Sequence, residues 1–98
     1  MDLSSLTTKP CIYMILNILN NKFYIGSAFN LKKRISMHLS YLRRNVHHNK
    51  FLQNAYNKYK EENFKIIILA SVLDKSKILE IEQLFLDDLK PYKRENRI

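Results

Sequence analysis

The chain has 98 residues, 46% of them apolar and 27% charged, with 17 Lys+Arg against 9 Asp+Glu and a formal charge of +8. This length allows one domain around one core, and the composition is that of a folded chain rather than a disordered one. Gly26 is the only glycine, which excludes P-loops and dinucleotide fingerprints, since each needs several. The single Cys11 excludes an internal disulfide framework and a Cys-cluster zinc site. No apolar run reaches the ~18–20 residues of a membrane span, and the N-terminus lacks a secretory signal pattern; an intracellular protein without membrane insertion is expected. Residues 1–60 hold ten Lys/Arg and one acid, whereas residues 61–98 hold seven and eight. A basic front attracts phosphates, so nucleic acid is the leading partner, with a membrane surface or simple solubility as alternatives.

Residues 1–9 are polar and are expected to form a flexible segment before a single domain over residues 10–98. Cys11–Asn17 and Lys22–Ala28 are apolar β-type runs separated by Asn20-Asn21, which reads as a hairpin because Asn tolerates left-handed turn geometry. In it, Tyr13 and Tyr24 form a cross-strand aromatic pair by default, and Gly26 permits close backbone approach. Asn30 is a good N-cap, and Leu31, Ile35, Leu39 and Leu42 follow at helical spacing. On that helix Arg34 and His38 lie one turn apart, at about 300° and about 340° from Leu31, on the rim of the apolar arc. Lys32, Lys33, Arg43 and Arg44 point elsewhere and serve as phosphate contacts. Singly, Arg34 reads as a surface charge and His38 as a satisfied boundary histidine. His47-His48 read as solvated or capping histidines at the entry to a second helix that runs from His48-Asn49 to about Glu62.

Phe64–Ser71 is almost continuously apolar, which predicts a central strand buried on both faces. A third helix, capped by Asp74 or Ser76, ends near Leu89 before Lys90-Pro91. Taking Ile78 as 0°, Glu82 falls at about 40°, inside the arc of Ile81, Phe85, Leu86 and Leu89, while Glu80 and Asp87 fall near about 200° and about 180°. A carboxylate on a core-facing stripe needs a cation or strong donors. A buried bridge to Arg or Lys, a metal ion, and a position snorkelling to water are the three readings. The order is ββααβα, an α+β fold.

Together these residues resemble the GIY-YIG nuclease superfamily and, within it, the catalytic domains of intron-type homing endonucleases. Cys11-Ile12-Tyr13 stands for the first motif and Tyr24-Ile25-Gly26-Ser27-Ala28 for the second, followed by Arg34-x-x-x-His38, His47-x-Asn49-x-x-Leu52-Gln53 and Glu82-Gln83. The resemblance implies a three-stranded antiparallel sheet flanked by helices. It also implies hydrolysis of DNA phosphodiesters with one divalent ion, Mg²⁺ or Mn²⁺, held by Glu82. Tyr13 takes the place of the family's usual general base, with His38 as the alternative. A tyrosine of pKa about 10 is only ~0.1% ionised at pH 7, so the metal, Arg34 and hydrogen bonds from Tyr24 or His38 must favour its phenolate. Arg34 meets the charge that builds on the phosphoryl oxygens; Gly26, Ser27 and His47 support the site. Lys22 and Lys50 join the four cations of the first helix as DNA contacts.

Cys11 stands where the family has its first glycine, and Tyr92 is followed by Lys93 rather than by the family's late Asn. Asn96 is the nearest candidate for that Asn and receives no role. The chain shows no segment like the recognition domains of homing enzymes, so a homodimer or a separate DNA-recognition subunit is an expected partner. The competing readings are a non-catalytic nucleic-acid-binding protein with this fold and a catalytic fragment inert without its recognition partner.

Overall fold

The structure, a computed structural model, describes residues 3–98. Its elements are β1 (Cys11–Asn17), β2 (Phe23–Ala28), α1 (Leu31–Arg43), α2 (Lys50–Tyr59), β3 (Phe64–Ser71) and α3 (Ile78–Leu89), with single 3₁₀ turns at Glu61–Asn63 and Lys75–Lys77. The strands form one antiparallel sheet in the order β2-β1-β3. This is the α+β, ββααβα arrangement expected.

Local chemistry sets most of the boundaries. Asn21 adopts a left-handed φ of 61° in the hairpin turn, where the Asn17 N–H donates to Lys22 O at 2.9 Å. The Asn30 side chain accepts from the Lys33 N–H at α1, and Asn49 accepts from Leu52 N–H at α2, each satisfying a free donor of a helix start. α2 stops at Tyr59, short of the Glu62 expected, because Lys60 turns left-handed at φ 71° and the chain continues as a 3₁₀ turn. Asp74 caps the 3₁₀ turn that leads into α3 rather than α3 itself.

The sheet is the middle layer. Cys11, Tyr13 and Ile15 pack on one face with Leu31, Ile35 and Leu39 of α1 and Leu52 of α2. Ile12 points the other way, into a second cluster with Ile25, Val72 and Ile78, against which Phe85 and Leu89 of α3 pack. β1 is therefore the strand buried on both faces. The expectation of a central β3 is corrected: β3 is an edge strand, with Ile68 45% exposed where Ile12 is 0%. Its register against β1 slips between Ile12 and Tyr13, so Ile12 faces Ala70 while Tyr13 faces Ile68. That bulge leaves Leu69 without a cross-strand partner; Ile66 reaches the first cluster and Leu69 and Ala70 the second, while Ile67 and Ile68 stay exposed.

The ends of the domain are tied in. Leu3 and Leu6 lie against the first cluster, and the Lys32 N–H donates to Thr7 O at 3.0 Å. At the other end the Asn96 amide donates to Leu89 O and Lys90 O, and Asn96 O accepts from the Phe23 N–H at 2.9 Å. Asn96 thus joins the C-terminus of α3 to the start of β2. The layering makes a test of strand position: Ile12→Ala should cost about 2–5 kcal/mol in urea unfolding, whereas Ile68→Lys should change stability by less than about 1 kcal/mol. The reverse ranking would place β3 at the centre.

Candidate active site

Tyr13 sits directly opposite Gly26 across the hairpin. A Cβ on Gly26 would lie 2.6 Å from the Tyr13 hydroxyl, so only glycine lets the Tyr13 ring lean over the neighbouring strand. The lone glycine is therefore a packing requirement. The ring is 1% exposed, and its hydroxyl is hydrogen-bonded to His38 Nε2 at 2.8 Å. His38 Nδ1 is hydrogen-bonded in turn to His47 Nε2 at 2.7 Å, and His47 Nδ1 accepts from the Asn49 N–H at 3.0 Å. Tyr24 meets His38 edge-on with ring centroids 5.6 Å apart, and its ring lies 6.4 Å from that of Tyr13.

Two sequence readings are corrected here. His47 is not solvated: it is 1% exposed and stacked between His38 and His48, while the exposed His48 belongs to the surface. The interaction of Tyr13 and Tyr24 is also more than a cross-strand contact, since both rings converge on one imidazole. Gln53 was missed. It is buried, its Oε1 accepts from the His47 N–H and its Nε2 donates to Leu42 O, both at 3.0 Å. The motif stretch His47-x-Asn49-x-x-Leu52-Gln53 contained it, but nothing in its spacing revealed bonds to backbone groups of two other segments.

Electrostatics follow from burial. Desolvation pushes the Tyr13 phenol well above its ordinary pKa, with Tyr24 adding to the rise and Arg34 opposing it. Desolvation raises Tyr24 as well; Arg34 lowers it, Glu82 raises it, and its hydrogen-bonding interaction with Tyr13 lowers it. Arg34 and Glu82 thus both act on the tyrosine pair. Desolvation, with His47, Arg34 and His48 adding repulsion, lowers His38 to about 4, and burial lowers His47 too. Both histidines are neutral at pH 7.

Glu82 is half-buried on α3 among residues of the second cluster. The buried bridge weighed for it is absent: among the described residues Glu82 has no hydrogen bond or ion pair. Glu80 lies 3.9 Å from Lys77, and Asp87 accepts from Gln83 at 2.8 Å, both on the exposed side. Among the described residues no group of three or more His, Cys, Asp or Glu forms a ready-made metal cluster. A single carboxylate suits Mg²⁺, which keeps several waters and takes its remaining ligands from substrate phosphates.

Arg34 is exposed and shares a cleft of about 270 Å³ with Ser27, Phe29, Lys75 and Ser76. Tyr24 borders a second cleft of about 360 Å³ with Asn49, Phe51, Tyr92 and Arg97. Of the six candidate DNA contacts, Lys32, Lys33 and Lys50 are exposed and Lys22 is half-buried. Arg44 lies over the Tyr41 ring and donates to Ser40 O. Arg43 is committed elsewhere: it donates twice to Glu61 at 2.9 Å, and Glu61 also accepts from Tyr56, which holds that carboxyl at about 2.

A three-stranded sheet that presents a tyrosine pair beside an arginine and an unpartnered glutamate defines a nuclease-type catalytic domain, and the chain belongs to the GIY-YIG family: residues 9–96 match the GIY-YIG catalytic domain. It is 37% identical over 82 residues to intron-associated endonuclease 1 of Enterobacteria phage T4, across 83% of this chain and 33% of that protein. The chain thus spans about a third of that relative's length. Its fold is similar to the catalytic domain of the homing endonuclease I-TevI, with a TM-score of 0.77 and 34% identity over 90% of this chain and 94% of that one. A substituted form of the same catalytic domain gives a TM-score of 0.76 and 35% identity over 84% of each chain.

Two outcomes follow from the geometry. Gly26→Ala should cost about 1–3 kcal/mol by overpacking and displace the Tyr13 hydroxyl; urea unfolding and the Tyr13 ring signals in NMR report it. The second concerns pH. His38 binds its proton near 6.5 when unfolded and near 4 when folded, so the unfolded state holds more protons between these values. Stability is then full above about pH 6.5 and falls as pH drops towards 4, with His47 contributing in the same direction. His38→Gln should flatten most of that slope, measured as urea midpoints from pH 7 to pH 4.5.

Proposed function

We propose that this domain is a divalent-metal-dependent DNA endonuclease with one metal per site, residues 10–98 acting as one catalytic unit. The observation that carries the reading is Glu82, a half-buried carboxylate with no hydrogen-bond or ion-pair partner among the described residues, acting on the same tyrosine pair as Arg34. Its membership of the GIY-YIG family supports the reaction class, and the exposed cations of α1 support DNA as the substrate.

In this reading the scissile phosphate lies between the two clefts that flank β2. Arg34, with Lys75 in the same cleft, holds the phosphoryl oxygens as negative charge grows on them. Mg²⁺ or Mn²⁺, when bound at Glu82, supplies a Lewis acid for a phosphate oxygen and acidifies a water. Tyr24 is the half-buried member of the pair and meets solvent, whereas Tyr13 is closed off behind it. Burial raises the Tyr24 pKa, and Arg34 opposes it by favouring the phenolate. Tyr24 would give up its phenol proton to solvent and then take the proton from the attacking water. The new P–O bond forms as the bond to the leaving oxygen breaks, and the leaving oxygen takes a proton from solvent. His38 is a poor direct base because both ring nitrogens are hydrogen-bonded and its pKa is near 4. Tyr13 and His38 then polarise Tyr24 rather than touch the water.

Lys32, Lys33 and Lys50 contact flanking phosphates, Lys22 and Arg44 lie at the margins, and Arg43 contributes less because Glu61 neutralises it. A DNA substrate fits an intracellular location, and a second copy of the domain or a further recognition unit would supply sequence preference.

The test is nicking of supercoiled plasmid with Mg²⁺, Mn²⁺ or EDTA. Wild-type protein should nick only with a divalent ion, Glu82→Ala should lose detectable turnover, and Arg34→Ala should lose about 10²–10³-fold with binding retained. Lys32→Ala/Lys33→Ala should weaken binding and reduce its dependence on salt. Binding without cleavage in any divalent ion would establish the non-catalytic reading instead.

A further inference from the structure

The hydrogen-bonded chain behind Tyr24 has a direction, and one fixed group sets it. The Asn49 N–H can only donate, and it points at His47 Nδ1 at 3.0 Å. A neutral imidazole has one donor and one acceptor nitrogen, so His47 carries its proton on Nε2. That proton is donated to His38 Nδ1 at 2.7 Å. His38 Nδ1 is then an acceptor, the His38 proton sits on Nε2, and it is donated to the Tyr13 oxygen at 2.8 Å. The opposite direction would set two N–H groups against each other between Asn49 and His47. A cationic His38 would do the same between His38 and His47, which burial disfavours.

Asn49 holds this position because it caps α2, its Oδ1 accepting from the Leu52 N–H at 3.1 Å. The other fixed point is Gln53, one turn further on. Gln53 takes the His47 N–H on Oε1 and anchors its own Nε2 on Leu42 O at the end of α1, with Asn57 Oδ1 also within 3.0 Å. The His47 ring is thereby held where Nδ1 meets the Asn49 N–H and Nε2 meets His38.

We infer that the first turn of α2 sets the proton direction of the active site: the Asn49 N–H, through His47 and His38, makes the Tyr13 oxygen an acceptor. Gln53 is the positioning residue that maintains it. With its oxygen accepting from His38, Tyr13 turns its own proton away from that nitrogen. Three successive donors, on Asn49, His47 and His38, end on the buried Tyr13 oxygen. The catalytic consequence rests on the nuclease reading above; the proton positions do not.

The experiment is a two-bond ¹H–¹⁵N correlation spectrum of the imidazoles in ¹⁵N-labelled protein at pH 7, which distinguishes the tautomers directly. His38 and His47 should both carry the proton on Nε2. His47→Glu offers His38 Nδ1 an acceptor instead of a donor. It should move the His38 proton to Nδ1 and slow single-turnover plasmid cleavage by about 10²-fold or more. Gln53→Ala, with its fold checked by the amide spectrum, should give a mixture of His47 tautomers. A His38 proton on Nδ1 in the unaltered protein would overturn the inference, as would an Nε2 proton that persists in His47→Glu. The expected tautomers in a protein that cuts no DNA would uphold the chain and overturn the nuclease reading alone.

Discussion

The hydrogen bond from His38 to the buried Tyr13 hydroxyl is the contact on which the rest of the site depends. It exists because three constraints meet at one place. β1 is the central strand, so Tyr13 is covered by helices and cut off from water. Gly26 leaves room for the ring to lean across the hairpin. The apolar stripe of α1 turns His38 inward with Leu31, Ile35 and Leu39, one helical turn after Arg34 stays outside. Removing any of these breaks a polar contact in a water-excluded setting, where an unpaired hydroxyl costs about 1–3 kcal/mol. The same burial keeps His38 neutral, which is what allows it to act as a one-way donor rather than as a diffuse positive charge.

Around this contact the fold separates polar work by layer. The α1/α2 side of the sheet supplies the histidines and the amide that orient the tyrosines. α3, on the other side, supplies Glu82. The late Asn96 ties α3 to the start of β2 through the Leu89, Lys90 and Phe23 backbone groups. It thereby couples the helix that carries the glutamate to the strand that carries Tyr24. The Asn96 amide is engaged with the Leu89 and Lys90 carbonyls.

What was legible in the sequence was local. Asn30, Asn49 and Asp74 announce their turns through side chains that reach backbone donors two or three residues ahead. Glu82 was legible because a single carboxylate broke an otherwise apolar helical stripe. The edge position of β3 was hidden, because a run of Ile and Leu reads alike for a strand with two neighbours and for one with a single neighbour beside a bulge. The burial of His47 was hidden by His48: adjacent histidines read as a surface pair, yet a turn sends one inward and leaves the other out. Arg43 and Glu61 stand 18 residues apart in sequence, so their pairing was invisible to any helical periodicity.

Arg43 and Arg34 show why a count of basic residues does not say which charges are free to act. Both are exposed cations of α1, and composition weighs them equally. Arg43 is held in a bidentate pair with Glu61, and its charge is largely cancelled before any phosphate arrives. Arg34 has no ion pair or hydrogen bond among the described residues, and its field reaches both tyrosines and His38. An unpaired cation beside neutral phenols, one buried and one half-buried, raises the energy of nothing in the resting protein. It becomes favourable only when a negative charge appears next to it, on a phenolate or on a phosphoryl oxygen. The useful charge in this small domain is the one that the fold leaves unsatisfied.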